Sequence, residues 1–178
     1  KSYSNVFHAN GGNAAFSVMA NTLRGVYGTD VLLATANSFT GSVLKADYTP
    51  KMLDSMIMPN GLMSRQRTMT GAELKETVRA FVEGCEGGFV PFNRGSLPIV
   101  SGIAVEVKEA SGSYTLTGIT RNGQPLRDDD TVTVTCLAAE KQMEAMLASE
   151  SGVSAGEDTW VKNTWRDHVS GGGAALAE

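Results

Sequence analysis

Apolar positions recur at helical spacing near the start of the chain. In NAAFSVMANTLRGVYG, Ala15, Val18, Met19, Thr22 and Leu23 fall three and four residues apart before glycines, which predicts a helix from about Gly12 to Arg24. The run Val31 to Ala36 is short, almost wholly apolar and ends at Asn37, as a buried strand does. In DYTPKMLDSMI, Thr49 can cap and Pro50 suits the first helical position, leaving Met52, Leu53, Met56 and Ile57 on one face of a two-turn helix. The stretch MPNGLMSRQRTMTGAELKETVRAF reads as turn, strand and helix. Its helix opens on a capping box, Thr70 accepting from the amide of Glu73 while Glu73 reaches back, and Leu74, Val78, Phe81 and Val82 form the core stripe up to Gly84.

The period then falls to two. Ile103, Val105 and Val107 alternate with Ala104, Glu106 and Lys108, SYTLTGI is a second strand, and Asn122-Gly123 marks a tight turn before DDTVTVTCLAA. These three runs predict an antiparallel sheet. AEKQMEAMLASE is expected to be helical, SGVSAGED a loop, and TWVKNTWRDHV a last helix with Val161, Trp165, His168 and Val169 on one side. No repeat or long linker divides the chain. The pattern predicts one α+β domain over residues 1–170, with a mixed or antiparallel sheet and interspersed helices, and a flexible tail over 171–178.

Composition narrows the partners. With 178 residues, 42% apolar and 19% charged, the chain has the make-up of a globular domain with a real core. A net charge of -4, a pI near 5.2 and the lack of any Lys/Arg run argue against nucleic acid and anionic membranes. No apolar run approaches the roughly 18 to 20 residues that cross a bilayer, and KSYSNVFHAN lacks the apolar centre of a signal peptide. A start at Lys1 reads as an excised or processed piece. Cys85 and Cys136 fit either one disulfide or two buried thiols. His8 and His168 are the two histidines, one near each end, so a two-metal site with several His, Asp and Asn ligands finds no donors here. No P-loop, dinucleotide fingerprint, ordered Ser/His/Asp set or thiol nucleophile motif is present.

Several fragments form a collinear series. Pro59, Gly61, Thr70, Gly71 and Leu74 fall in the frame of a Pro-Phe-Gly-Asn turn, an alternating strand and a Thr-Gly helix start. GGFVPFNRGSLPIVSGIAVEV leads through Ser101-Gly102 into a strand, and GITRNGQPLRDDDTVTVTCLAA carries a Gly-x-Pro-Leu turn before another. ANGGN precedes the first helix, and Asn37 stands where an Asn-x-Gly-Gly-x-Arg loop would begin. In this order, over roughly residues 8 to 170, the chain resembles the C-terminal domain of the 5'-nucleotidase family, which includes UDP-sugar hydrolases and 2',3'-cyclic-nucleotide phosphodiesterases. The resemblance implies a nucleotide-recognition domain following an N-terminal metallophosphoesterase domain that holds a divalent metal pair, with no cofactor in this part. It implies a nucleotide or nucleoside-like ligand, an extracellular, cell-surface or periplasmic setting, and binding positions at Asn37, Phe39, Gly41, Asn60, Ser101 and Gly102.

The departures fall at the binding turns. The family holds its base between two aromatic rings, because stacking tolerates any base and contributes roughly 1 to 3 kcal/mol. Asn60 replaces the first ring, and CLAAEKQMEAML has neither the second ring nor the Gly-Gly-Asp that follows it. SFTGSVLK after Asn37 lacks the Gly-Gly-x-Arg, Phe39 and Gly41 being partial substitutes. Each residue also has a plain structural role: Asn60-Gly61 as a turn pair, Asn37 bonding the local backbone, and Ser101-Gly102 as a turn or bulge. Arg65 and Arg67 read as a solvated strand edge, His168 as a packed helix residue, Asp128 to Asp130 as a solvated turn, and the methionines as gap fillers. The leading expectation is an accessory substrate-recognition domain with no catalytic site of its own. The second is a scaffold module that kept the fold and lost nucleotide binding, and independent catalysis is least favoured.

Overall fold

A computed structural model describes residues 13–42, 48–57, 62–83, 98–111, 113–139 and 159–171. Helix α1 runs Ala14–Tyr27. Asn13 caps it, Oδ1 accepting from the Phe16 amide at 3.0 Å, and Gly28 ends it at φ 67. That left-handed φ lets the Gly28 amide turn back to carbonyls of the last turn. All five residues of the predicted stripe are buried, and the helix runs three residues past its expected end. Strand β1 (Val31–Thr35) passes into a single 3-10 turn, Ala36–Ser38. Helix α2 (Pro50–Met56) has the expected Thr49 cap, whose hydroxyl accepts from Met52 N at 3.3 Å. Leu53, Met56 and Ile57 are buried, whereas Met52 is 43% exposed and lies outside the apolar face assigned to it.

Strand β2 (Leu62–Thr70) leads directly into α3 (Gly71–Glu83) through the capping box. Thr70 N donates to Glu73 Oε2 at 2.8 Å, and Glu73 N to Thr70 Oγ1 at 3.2 Å. The remaining elements are β3 (Pro98–Ser101), β4 (Ala104–Ala110), β5 (Ser113–Arg121), β6 (Gln124–Pro125), β7 (Thr131–Ala139), β8 (Thr159–Trp160) and α4 (Val161–Ser170). Ala139, the expected start of a helix, instead ends β7; the rest of that predicted helix, Glu140 to Glu150, its following loop and the tail beyond Gly171 lie outside the described residues.

Two sheets form, where the alternating half of the chain read as one. The large one has the order β3-β1-β7-β2-β8, the small one β4-β5-β6. Asn122 (φ 51) and Gly123 (φ 76) make a primed hairpin turn between β5 and β6, as predicted. The chain then leaves that hairpin. β7 enters the large sheet parallel to β1 (Leu32 beside Thr135) and antiparallel to β2 (Arg67 beside Val134). A period of two gives a strand and its faces but not its neighbour, so the antiparallel reading of all three runs holds only for the small sheet.

β1 is buried on both faces and divides the core in two. Leu32 and Ala34 join α1, α2 and α4 around Phe16, Leu53 and Trp165. Val31 and Leu33 join α3 and the small sheet around Leu74, Val78, Ile119, Leu126 and Val134. The result is a layer of three helices, a mixed sheet, and a layer combining one helix with a small antiparallel sheet, an α+β architecture.

Candidate functional site

The segment at the C-terminal end of β1 carries three of the sequence-predicted site residues, Asn37, Phe39 and Gly41. It is tied to α2: Phe39 bridges Ile57, and Thr40 N donates to Met56 O at 2.9 Å. Asn37 is exposed. Phe39 is 3% exposed and packs its ring on Phe16, centroids 5.7 Å apart at 51°, so its burial serves the core. Gly41 takes φ 74, and no other described residue stands within 4 Å of where its side chain would be. Ser38, between Asn37 and Phe39, was not marked by the sequence. It is buried, and among the described residues its hydroxyl has no hydrogen-bond partner. The Nε1 of the buried Trp165 shares that state on the same side of the sheet. Asn60 lies outside the described residues.

Ser101 and Gly102 stand at the other end of β1, since Leu32 lies beside Ser101 and Thr35 beside Pro98. The structure therefore brings Asn37, Phe39 and Gly41 together and separates them from Ser101 and Gly102 by the length of the strand. Ser101-Gly102 forms the corner where the chain passes from the large sheet to the small one. Gly102 has φ 86, and a Cβ there would come within 2.0 Å of Asp30 O. Ser101 Oγ accepts from Arg24 Nε at 2.9 Å and donates to Asn21 Oδ1 at 2.5 Å.

Asp30 organises this end, and sequence inspection missed it because a single aspartate before a strand has no motif. Its carboxylate accepts from Thr133 N at 2.9 Å, from Thr133 Oγ1 at 3.0 Å and from the Arg121 guanidinium. The Thr133 amide first, and the cations after it, hold the carboxyl below the usual range against the opposing effect of burial. Arg121 ends β5 and Thr133 lies in β7, so one side chain joins both sheets.

On the opposite face of the large sheet, Arg65 and Arg67 share a side of β2. β8 pairs only with Met63 and Ser64, so this part of the strand is an edge among the described residues, as predicted. Arg67 is nonetheless 3% exposed, contrary to the solvated reading. Its Nη2 lies 3.9 Å from Glu73 Oε1. The Thr70 amide, assisted by the Thr70 hydroxyl and Arg67, keeps the Glu73 carboxyl below its ordinary range despite burial. Beside these cations Cys136 is a buried free thiol, pushed up to about 12 by burial, with Arg67 and Arg65 pulling the other way. Cys85 lies outside the described residues.

Asp128, Asp129 and Asp130 form a turn with more structural content than a solvated one. Their carbonyls receive the first amides of α3, Gly71 N to Asp130 O at 2.7 Å and Ala72 N to Asp128 O at 3.1 Å. A Cβ on Gly71 would meet Arg127 O at 1.9 Å, which explains the glycine of the Thr-Gly pair. Among the described residues no three His, Cys, Asp or Glu side chains converge to hold a metal ion. No described helix is long and apolar enough to cross a membrane.

The class that these features define is an α+β domain whose mixed sheet separates three helices from a helix and a small antiparallel sheet. No family model and no curated protein matches the chain. Solved structures share its fold. A Staphylococcus aureus chain assigned as a 5'-nucleotidase superposes with a TM-score of 0.69 over 94% of this chain and 36% of its own, at 15% identity. The NAD nucleotidase of Haemophilus influenzae gives 0.64 over 96% and 33%, also at 15% identity. A sulfate thiohydrolase of Thermus thermophilus gives 0.62 over 88% and 29%, at 12% identity. The likeness is one of fold, and this chain spans about a third of the length of the chains it matches.

Proposed function

We propose that this chain is the substrate-recognition domain of a 5'-nucleotidase-like metallophosphoesterase, taking a nucleotide or nucleoside-like small molecule beside Asn37. Hydrolysis belongs to a separate N-terminal domain with the divalent metal pair, and no hydrolytic step is assigned to the described residues. The supporting observation is that about nine-tenths of the chain superposes on about a third of nucleotidase chains. On this reading the parent protein works outside the cytoplasm, at the cell surface or in the periplasm.

The burial of Phe39 favours a second reading, a scaffold module without nucleotide binding, because the ring beside Asn37 packs on Phe16 rather than facing a ligand. Titration with AMP, ADP, UDP-glucose and adenosine, followed by heat or tryptophan fluorescence, separates the two. Saturable binding that weakens in Asn37→Ala supports recognition. Silence with all four ligands favours the scaffold.

A further inference from the structure

A concave site lies away from β1, between α3 and the hairpin formed by β5 and β6. It is a half-open cleft of about 280 Å³. Its floor is apolar: Ile119 and Leu126 are buried, Leu116 is half-buried, and Leu126 N donates to Ile119 O at 2.9 Å, which holds the hairpin end in place. The β4-β5 register shifts here, Glu106 lying beside Gly118 and Val107 beside Leu116, so Thr117 is an extra residue in the wall. Such bulges re-aim side chains and recur beside binding sites.

The rim is cationic on one side. Lys75 and Arg79 are one turn apart on α3, so both project from the same helical face toward the cavity. Their present partners are Asp128 for Lys75, and Glu76 and Glu83 for Arg79. Exposed ion pairs of this kind are weak in water. A carboxylate anchored by an apolar body on Ile119 and Leu126 competes for the same cations in a less hydrated setting, where charge-assisted hydrogen bonds are stronger.

We propose that this pocket binds a small amphipathic carboxylate, one apolar ring or branched chain with a short acidic arm. Volume sets the size: the cavity is about twice the roughly 150 Å³ that takes up benzene in an engineered apolar cavity, enough for one ring and its arm but not for a nucleotide and its phosphates. The site is independent of the nucleotide reading, and binding here neither requires nor excludes a ligand beside Asn37.

The test uses the 178-residue chain, with hydrocinnamate as probe and hydrocinnamide as its neutral counterpart, followed by backbone amide resonances. Saturable hydrocinnamate shifts centred on residues 116–119 and 75–79 are expected, with the amide binding about tenfold or more weakly, equivalent to about 1.4 kcal/mol. Lys75→Gln/Arg79→Gln is expected to abolish the difference between the two probes while leaving the melting temperature near that of the parent, because the ion pairs it removes run to exposed carboxylates and contribute little. Equal affinity for acid and amide, shifts centred elsewhere, an acid preference that survives in the double variant, or no saturable binding of either probe would each overturn the proposal.

Discussion

Glu73 closes the capping box of α3 and also lies 3.9 Å from the buried guanidinium of Arg67, so one carboxylate serves a helix end and an interior cation. Thr70→Ala removes the cap alone and is expected to cost about 1 kcal/mol. Glu73→Ala removes the cap's return bond and leaves Arg67 without that counter-charge, so about 2 kcal/mol is expected. Glu73→Gln, which keeps an acceptor and loses the charge, falls between them. Urea unfolding with a constant slope measures all three, and a Glu73→Gln variant as stable as the parent would show that the ion pair to Arg67 contributes nothing.

Gly102 and Gly123 have similar left-handed φ values, 86 and 76, but different surroundings. Alanine at Gly123 meets nothing within 4 Å and carries only the backbone strain, about 1 kcal/mol. Alanine at Gly102 adds a collision with the carbonyl of Asp30, and the expected loss exceeds about 3 kcal/mol. Thermal melts of the two variants give the comparison, and similar losses would contradict it.

Asp30 makes stability depend on acid. Because its folded carboxyl titrates below the unfolded one, the unfolded chain binds more protons in that window. Its contribution is fully present above the unfolded value of about 4 and is lost as pH falls through the lowered folded value. Asp30→Asn is expected to be less stable than the parent at neutral pH, and to show a shallower decline on acidification. Denaturation midpoints across the acid range check this, and parallel curves for the two proteins would exclude Asp30 as a source of the decline.

Cys136 is expected to resist thiol reagents. Burial raises its titration to about 12, so near pH 8 both thiolate content and access are low. In a Cys85→Ser background, labelling of Cys136 followed by mass is expected to proceed at the rate of chain opening and to become fast in denaturant. Rapid modification in native buffer would show an exposed thiol instead.

Local signals were legible in the sequence where one segment sufficed to produce them. The Thr49 and Thr70 caps, the stripe from Ala15 to Leu23, the buried strand at Val31 and the Asn122-Gly123 turn all depend on near neighbours. Departures arose where distant pieces decide. Burial of Arg67 depends on Glu73 and the layer above β2, exposure of Met52 on what α2 packs against, and the hub at Asp30 on Arg121 and Thr133, about a hundred residues away. The site was legible only in part for the same reason. Asn37, Phe39 and Gly41 are neighbours along the chain, whereas Ser101 and Gly102 reach β1 by strand pairing at its far end.

The position of β7 has a consequence for the newborn protein. Strands β1 and β2 share no neighbour until residues 131–139 arrive between them, one alongside each edge. A nascent chain emerging from the ribosome therefore presents the apolar β1 and the mixed β2 for some seventy residues of synthesis after Thr70, with their common partner still unmade. Release before that strand is complete leaves a polypeptide with three of the described helices and no strand to join β1 to β2.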